Sequence, residues 1–452
     1  MRLLGLVLLT AAFASAETPK LAEPFQSLVD LSHAAPPEFG ADALLRLVES
    51  GKIDDRDARR DLIQQAFSLA AAAKFPLRKR HLPGTTLDSR AGSLSQAYGM
   101  KLDALSLQSR AVSDMVRVDP AEARKLIQEI PPPVFEPLSC DDALFYDVSD
   151  FYQALSAVVN SAFNRQERAK EEHVNFLLGY IGQVASPAQL VPLAQTIQSA
   201  AVTAEQREVL WARFNALVPN LQADDRSFSA LLVEPQPGMD FIVNAIRQKS
   251  SGCKTDTPAA STRRPGATPV TADGGVPQPN QHDTTPKVEA YWQSAEAQRM
   301  MADGKKLRYG DGGRILTDAE RSTPEWQQKL TDYLSALAAW DPDQEKSEAD
   351  YYNEKCTVYI ALVELIPPGP QRDKMLENFM DFIDASPLQQ ESPVEWYNQA
   401  GFMLERVRGT RDGEPRKVLE AFERSGNPVL ALESALDRTL GARLPAWAAG
   451  SR

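Results

Sequence analysis

The chain is 452 residues long and carries 49 Lys and Arg side chains against 61 Asp and Glu, a formal net charge of −12 at pH 7. A nucleic-acid partner requires a basic footprint, so this acidic balance argues against nucleic-acid binding and against docking on an anionic membrane. The length exceeds that of one typical domain, and two or three domains are therefore expected.

The first twenty residues, MRLLGLVLLTAAFASAETPK, have the pattern of a secretory signal peptide. Arg2 supplies the positive charge of the n-region, Leu3–Leu9 form the apolar h-region, and residues 14–16 (ASA) are a small-residue cleavage site. Residues 1–16 are therefore predicted to be a signal peptide, which makes the mature protein periplasmic or secreted. No later stretch approaches the ~20 apolar residues of a membrane span, so no membrane insertion is predicted.

Helical patterns run through most of the remaining chain, and strand-like alternation is nearly absent. Apolar side chains recur at helical spacing, for example at Phe151, Leu155 and Val158. A short polar residue followed by proline is typical of a helix start, because the polar side chain caps a free backbone N–H. Such pairs are Asp119-Pro120, Ser186-Pro187, Thr323-Pro324, Asp341-Pro342, Ser386-Pro387, Ser392-Pro393 and Asn427-Pro428. The predicted fold class is all-α.

Helix starts near residues 186, 203, 224 and 238 are spaced as in antiparallel helices joined by short loops. Pairs of such helices are the units of helical-repeat solenoids. No fixed repeat period appears, so the prediction is stacked antiparallel helical hairpins in an irregular, solenoid-like arrangement. A toroid or a plain bundle would fit the same pattern.

Residues 250–286 differ in composition from everything around them, because Pro, Gly, Ser and Thr dominate. Such a segment buries too little apolar surface to offset its ordering entropy, and we predict a disordered linker. It separates an N-terminal α-helical domain, residues 17–249, from a C-terminal α-helical domain, residues 287–445. The sequence leaves open whether the two domains pack on each other.

The stretch LSCDDALFYDVSDFY combines carboxylates with aromatic rings, a composition that can hold a cation or a sugar. The candidate binding residues are Asp141, Asp142, Tyr146 and Asp147. The competing interpretation is structural: acidic side chains are favoured at helix starts, and the aromatic rings then belong to the core.

No motif for a nucleophile, a phosphate loop or a metal site is present, so no catalytic residue, metal or cofactor is assigned. The histidines are scattered, at His33, His81, His173 and His282. His173 is expected on a helix surface. The Glu49-Ser50 pair resembles the one that carries the catalytic acid of lytic transglycosylases. Their G-L-M-Q stretch is replaced here by DDRDARRDLIQQ, so the pair is no evidence for that activity.

Hairpin architecture, an acidic surface and the lack of a catalytic motif together indicate an exported helical-repeat-like protein that acts by binding, with protein partners. The alternative is an all-α enzyme that acts on cell-wall or other polysaccharide through paired carboxylates. Tryptophan rings could line a carbohydrate groove, but most fall at core spacing. These residues are Trp211, Trp292, Trp326, Trp340, Trp396 and Trp447.

An exported protein meets oxidising conditions, so its three cysteines are disulfide candidates. Cys356 lies mid-helix among apolar residues and is expected to be a buried free thiol. Cys140 and Cys253 lie at ends of predicted elements, where a bridge is easier to close, and we predict that they pair. Cys140–Cys356, Cys253–Cys356, an intermolecular bond through Cys253 and three free thiols are the competing arrangements.

Non-reducing peptide mapping of the mature protein tests this disulfide. We expect the Cys140 peptide to be linked to the Cys253 peptide. Closing this loop would stabilise the fold by up to roughly 4 to 5 kcal/mol through the lost entropy of the unfolded chain. A Cys140 peptide that is free, or linked to any other peptide, would show that the pairing is wrong.

Overall fold

The computed structural model describes residues 21–81, 90–138, 142, 144–221, 227, 294–310, 312–341, 347–408 and 414–441. Several sequence predictions lie outside these ranges and stay predictions. They concern the signal peptide, Cys140, Asp141, the helix starts near residues 224 and 238, the linker 250–286, Cys253, Trp292 and Trp447.

Helices α1 to α11 form the N-terminal helical region, together with two short strands. The helices are α1 Glu23–Ala34, α2 Pro37–Glu49, α3 Arg56–Ala71, α4 Arg90–Gly99, α5 Ala104–Val118, α6 Pro120–Glu129, α7 Ser149–Ser161, α8 Arg165–Ala169, α9 Glu172–Ile181, α10 Leu190–Ser199 and α11 Ala204–Leu217. The strands are β1 Lys79–His81 and β2 Leu144–Tyr146, and single 3-10 turns occupy Pro187–Gln189 and Val218–Asn220.

Helices α12 to α20 form the C-terminal helical region. They are α12 Ala295–Tyr309, α13 Asp318–Arg321, α14 Pro324–Ala338, α15 Glu348–Leu365, α16 Pro370–Ala385, α17 Leu388–Glu391, α18 Pro393–Arg408, α19 Glu414–Arg424 and α20 Pro428–Leu440. Stacked antiparallel helical hairpins of irregular length make up both regions, which confirms the all-α prediction.

Side-chain caps begin many of the helices where the sequence predicts them. The Asp119 carboxylate accepts from the Glu122 N–H, and the Thr323 hydroxyl accepts from the Trp326 N–H, each in front of a proline at the first helical position. Asn427 caps α20 in the same way. These contacts satisfy N–H groups that the first turn leaves without an intrahelical partner.

His173 departs from the sequence expectation of a helix-surface position. It is 3% exposed and its ring centroid lies 6.1 Å from that of Phe163. The reason is that α9 turns the face bearing His173, Val174 and Leu177 inward. Burial lowers the pKa of the His173 imidazole.

The two helical regions pack on each other and share one hydrophobic core. A continuous cluster of buried apolar side chains extends from Leu28 of α1 to Leu436 of α20. Helix α20 packs against α1 and α2, and α18 packs against α4. The last described helix therefore lies against the first two, and the sequence had left this packing open.

A three-residue contact joins the two regions at this junction. The Glu433 carboxylate of α20 accepts from Arg46 Nη1 of α2 at 2.9 Å and from the Tyr397 hydroxyl of α18 at 2.7 Å. The Tyr397 ring packs edge-on against Phe39, with centroids 5.0 Å apart. Burial lowers the pKa of Arg46, but the Glu433 and Asp42 carboxylates outweigh burial and hold it above its ordinary value.

Replacing Glu433 by Gln tests this contact. The substitution preserves side-chain shape but removes the negative charge, so the 3.7 Å contact to Asp42 becomes the remaining ion pair of the Arg46 guanidinium. Removing one partner of a buried ion pair leaves the other charge uncompensated. We therefore expect the free energy of unfolding, measured by urea denaturation, to fall by about 2 to 3 kcal/mol.

The matched control is Glu364→Gln. Glu364 also pairs with an arginine, Arg406, but the two side chains are 56% and 46% exposed. Exposed pairs contribute little, so this variant is expected to lose less than about 1 kcal/mol. Equal losses in the two variants would contradict a special role for Glu433.

Candidate functional site

A charged cleft of about 520 Å³ opens where the two helical regions meet, and we call it the junction cleft. Helices α2, α5 and α7 and residues 99–102 line it from the N-terminal region. Tyr397, Leu440 and Gly441 line it from the C-terminal region. Its volume lies within the range of ordinary ligand sites, which is roughly 300 to 1,000 Å³.

Arg110 of α5 links two carboxylates of α2 in this cleft. Its Nη1 donates to Asp42 Oδ1 at 2.5 Å, and its Nε and Nη2 donate to the two oxygens of Glu49 at 2.5 and 2.6 Å. Asp42, Arg46 and Glu49 recur at helical spacing, so they project from one face of α2. The two hydrogen bonds to Glu49 fit the planar fork of the guanidinium group and fix the position of the Glu49 side chain.

Asp114, one turn beyond Arg110 on α5, has a different environment. The residue is 5% exposed but belongs to the cleft lining. Arg117 Nη1 lies 3.3 Å from Oδ1, whereas no protein donor reaches Oδ2. Burial, followed by the negative charge of neighbouring Glu49, raises the pKa of Asp114 to about 7. Two ionised carboxylates cannot hydrogen-bond to each other, so a proton on Asp114 relieves the contact.

A second ionic network closes the end of the cleft near α7. Lys101 Nζ donates to Asp150 Oδ1 at 2.7 Å, and Arg78 Nη1 donates to Asp150 Oδ2 at 2.6 Å. Arg78 also pairs with Asp147. Lys101 has a φ of 58°, a left-handed conformation that places its side chain at a tight turn between α4 and α5. Every one of these carboxylates has a cationic partner.

Of the sequence-predicted binding residues, Asp147 belongs to this network, and none of Asp142, Tyr146 and Asp147 lines the cleft. Strands β1 and β2 pair antiparallel, which brings Arg78 next to Asp147. Burial would raise the pKa of Asp147, but Arg78 and Ser149 outweigh burial and lower it. The Tyr146 hydroxyl accepts from the Glu136 N–H at 3.1 Å, and Asp142 is half-buried.

Most tryptophans in the described ranges are buried in the core. Trp326, Trp340 and Trp396 are 7%, 8% and 0% exposed, and Trp211 is half-buried. The indole N–H of Trp396 donates to the Ile383 carbonyl at 2.7 Å. Core packing is therefore confirmed for the three buried rings, and Trp326 also borders a pocket of about 360 Å³ beside residues 366–371.

Cys356 is a fully buried free thiol, as its sequence position indicates. Burial raises the pKa of this thiol above its ordinary value. Within the described ranges, no three His, Cys, Asp or Glu side chains cluster in a way that could hold a metal ion. None of the helices in those ranges combines the length and apolar character that crossing a bilayer demands.

Sequence reasoning missed the junction cleft. Its residues come from helices that are otherwise strongly apolar, as in PEFGADALLRLVE of α2. The available signal was the recurrence of Asp42, Arg46 and Glu49 at helical spacing inside an apolar helix. No family model, curated protein or solved structure matches this chain.

The raised pKa of Asp114 predicts a specific pH dependence of stability. The folded carboxyl keeps its proton up to about pH 7, whereas the unfolded one loses it near pH 4. Its stabilising contribution is therefore complete below pH 4 and is lost as the pH rises through 7. Asp114→Asn removes this loss, because the amide stays neutral.

We expect the free energy of unfolding of Asp114→Asn, relative to wild type, to rise by about 2 kcal/mol between pH 5 and pH 8. Urea denaturation at the two pH values measures it. The matched control is Asp318→Asn: Asp318 also pairs with an arginine three residues on, but its side chain is 95% exposed. If the free energies of unfolding of Asp114→Asn and wild type change equally between pH 5 and pH 8, the proton does not reside on Asp114.

Proposed function

We propose that this chain is an exported protein that acts by binding, as a protein–protein scaffold or adaptor outside the cytoplasm. The observation that carries the proposal is the junction cleft, which both helical regions build together. Helical stacks present concave surfaces to partners, and a cleft between two packed regions is a preferred place for a binding site.

The charges of the cleft suit recognition of another protein. Its rim presents Arg117 and Lys101, whose side chains are 77% and 45% exposed, while Asp114 lies at its base. Complementary charges of both signs set the register of a protein interface and reject wrong partners. The export part of the proposal rests on the leader pattern in residues 1–16.

A polysaccharide-directed enzyme, the alternative, has one observation in its favour. Glu49 and Asp114 are two carboxyl groups in one cleft, and the pKa of Asp114 is raised to about 7. Acid and base pairs in enzymes have pKa values pushed apart in this way.

Three features of the cleft argue against this enzymatic alternative. Arg110 forms two short hydrogen bonds with Glu49, which occupy both oxygens of that carboxylate. Asp114 is within hydrogen-bonding contact of Glu49, whereas the carboxyls of glycosidases stand about 5 to 10 Å apart to admit the substrate. No tryptophan of the described ranges lines the junction cleft, so a sugar bound there would have no indole ring to stack on.

Capture of partners by purified variants tests the proposed function. The mature protein is immobilised and exposed to an envelope extract of the producing cells, and retained proteins are quantified by mass spectrometry. Arg117→Glu reverses a rim charge, and we expect it to reduce retention of the specific partner about tenfold, which corresponds to ~1.4 kcal/mol.

Lys329→Glu is the matched control. Lys329 lies on α14, is 63% exposed, and pairs with Glu325 much as Arg117 pairs with Asp114. It should retain the same partners as wild type. Retention of nothing by wild type, or of one identical set by all three proteins, would contradict binding through the junction cleft.

A further inference from the structure

A proline-rich stretch on the surface, residues 131–137 (PPPVFEP), follows α6, and we call it the proline ridge. The ridge contains no helix, strand, turn or bend. Ile130, the residue in front of it, is 6% exposed and has a φ of −66° and a ψ of 118°. The chain therefore leaves α6 in an extended conformation, starting from a residue that is fixed in the core.

The prolines restrict the start of the ridge to the polyproline II conformation. Their rings hold φ at about −65°. A residue in front of a proline is driven away from the α region to an extended ψ, and this applies to Ile130, Pro131 and Pro132. Polyproline II has about three residues per turn, so every third residue lies on one edge. Pro131, Val134 and Pro137 have this spacing, and all three are exposed.

The other edge of the ridge is fixed to the protein. The Phe135 ring packs edge-on against Tyr146, with centroids 5.3 Å apart, and the Glu136 N–H donates to the Tyr146 hydroxyl at 3.1 Å. Leu138, which follows the ridge, is 5% exposed and packs with Phe145 and Tyr146 in a small cluster separate from the main core. The ridge is thus ordered before a partner arrives, which lowers the entropic cost of binding.

Val134 protrudes from this fixed support. Its side chain is 85% exposed, more than any other large apolar side chain in the described ranges. Within those ranges, the N–H groups of Val134 and Phe135 donate to no other backbone group. Proline-rich ligands combine the same features, a preformed extended backbone with free polar groups and apolar side chains, and they dock in grooves lined by aromatic rings.

Two carboxylates flank the exposed edge. Glu129 lies just before the ridge and Glu136 lies within it, and both are exposed. Neither forms an ion pair within the described ranges, whereas Glu122 of the same helix as Glu129 pairs with Lys125. Complementary charges favour a partner whose groove carries basic residues at its rim.

A second proline segment shows that prolines after a helix are not sufficient for this arrangement. Residues 366–370 (IPPGP) also follow a helix, α15, and begin with a buried isoleucine. Gly369 there has a φ of 148°, and the chain turns directly into α16. No large apolar side chain of this segment is exposed. The proline ridge differs because it stays extended and presents Val134.

We propose that the proline ridge is a docking surface for a second protein, which binds it in a groove lined by aromatic side chains and rimmed by basic ones. The rings of the groove pack on Pro131, Val134 and Pro137, and the rim pairs with Glu129 and Glu136. This inference rests on the proposed function, because the occupant is a protein. It adds a surface outside the junction cleft, and an adaptor needs two surfaces to join two partners.

Capture from the envelope extract by the full mature protein tests the ridge. The compared proteins are wild type, Val134→Ser, Arg117→Glu and the matched control Ile315→Ser. Ile315 lies between α12 and α13 and is 56% exposed, so its replacement also removes an exposed apolar side chain without disturbing the core. Two free peptides are added as competitors. One contains residues 128–138, and the control contains the second proline segment, residues 364–374.

We expect at least one protein to be retained about tenfold less by Val134→Ser than by wild type and Ile315→Ser. Arg117→Glu should retain this protein as wild type does. The 128–138 peptide should displace it and the 364–374 peptide should not, because a polyproline II ligand is recognised through its linear sequence. Circular dichroism should show that all variants are folded, since the replaced side chains are exposed.

Photo-cross-linking and salt dependence test the predicted groove itself. With p-benzoylphenylalanine in place of Val134, we expect a cross-link to a peptide of the retained protein that contains Trp, Tyr or Phe. A variant with both Glu129→Gln and Glu136→Gln should bind that protein with a weaker salt dependence than wild type, because exposed charges are screened. A cross-linked peptide without an aromatic residue, or an unchanged salt dependence, would overturn the predicted groove. A cross-link to a second copy of this chain would overturn the assignment to a different protein.

The variants separate failure of this inference from failure of the proposed function. If no retained protein depends on Val134 or is displaced by the 128–138 peptide, but Arg117→Glu alters retention, the ridge is overturned while binding through the junction cleft stands. If every retained protein depends on Val134 and none on Arg117, the junction cleft is contradicted while the ridge stands. Retention of nothing by wild type overturns both.

Discussion

The Glu433 carboxylate is the contact on which the junction depends. It joins α2 to α20 through Arg46, a residue 387 positions away in the chain, and it also accepts from Tyr397 of α18. Helix α20 also packs on α1 and α2, but non-directional hydrophobic packing alone does not set the register. The directional, buried ion pair between Glu433 and Arg46 sets the register of α20 on α2. The positions of the walls of the junction cleft follow from that register.

Local signals explain why the helices could be predicted from sequence. A cap such as Thr323 followed by a proline, and a stripe such as Trp326, Leu330 and Leu334, are encoded within a few residues. The strands β1 and β2 were missed because each has three residues and their pairing joins distant parts of the chain. The burial of His173 was missed for a related reason, since burial depends on which neighbours cover a helix face.

The candidate site depends on the same non-local packing. Asp42 and Glu49 meet Arg110 only because α2 lies against α5, and the sequence shows each helix separately. The sequence instead drew attention to Asp147, where acidic and aromatic residues are adjacent in the chain. The fold gives Asp147 a cationic partner in Arg78, whereas Asp114 has one contact with Arg117 and lies beside the carboxyl group of Glu49.

The central claim is that the two helical regions form one unit whose shared cleft binds a partner. Hydrogen–deuterium exchange, compared between wild type and Glu433→Gln, tests it most directly. If the regions are coupled at the junction, a change in α20 will accelerate exchange in α2 and in the α5 wall of the cleft as well. Acceleration confined to α20 and its neighbours α18 and α19 would show that the N-terminal wall of the cleft forms independently, and would contradict the account.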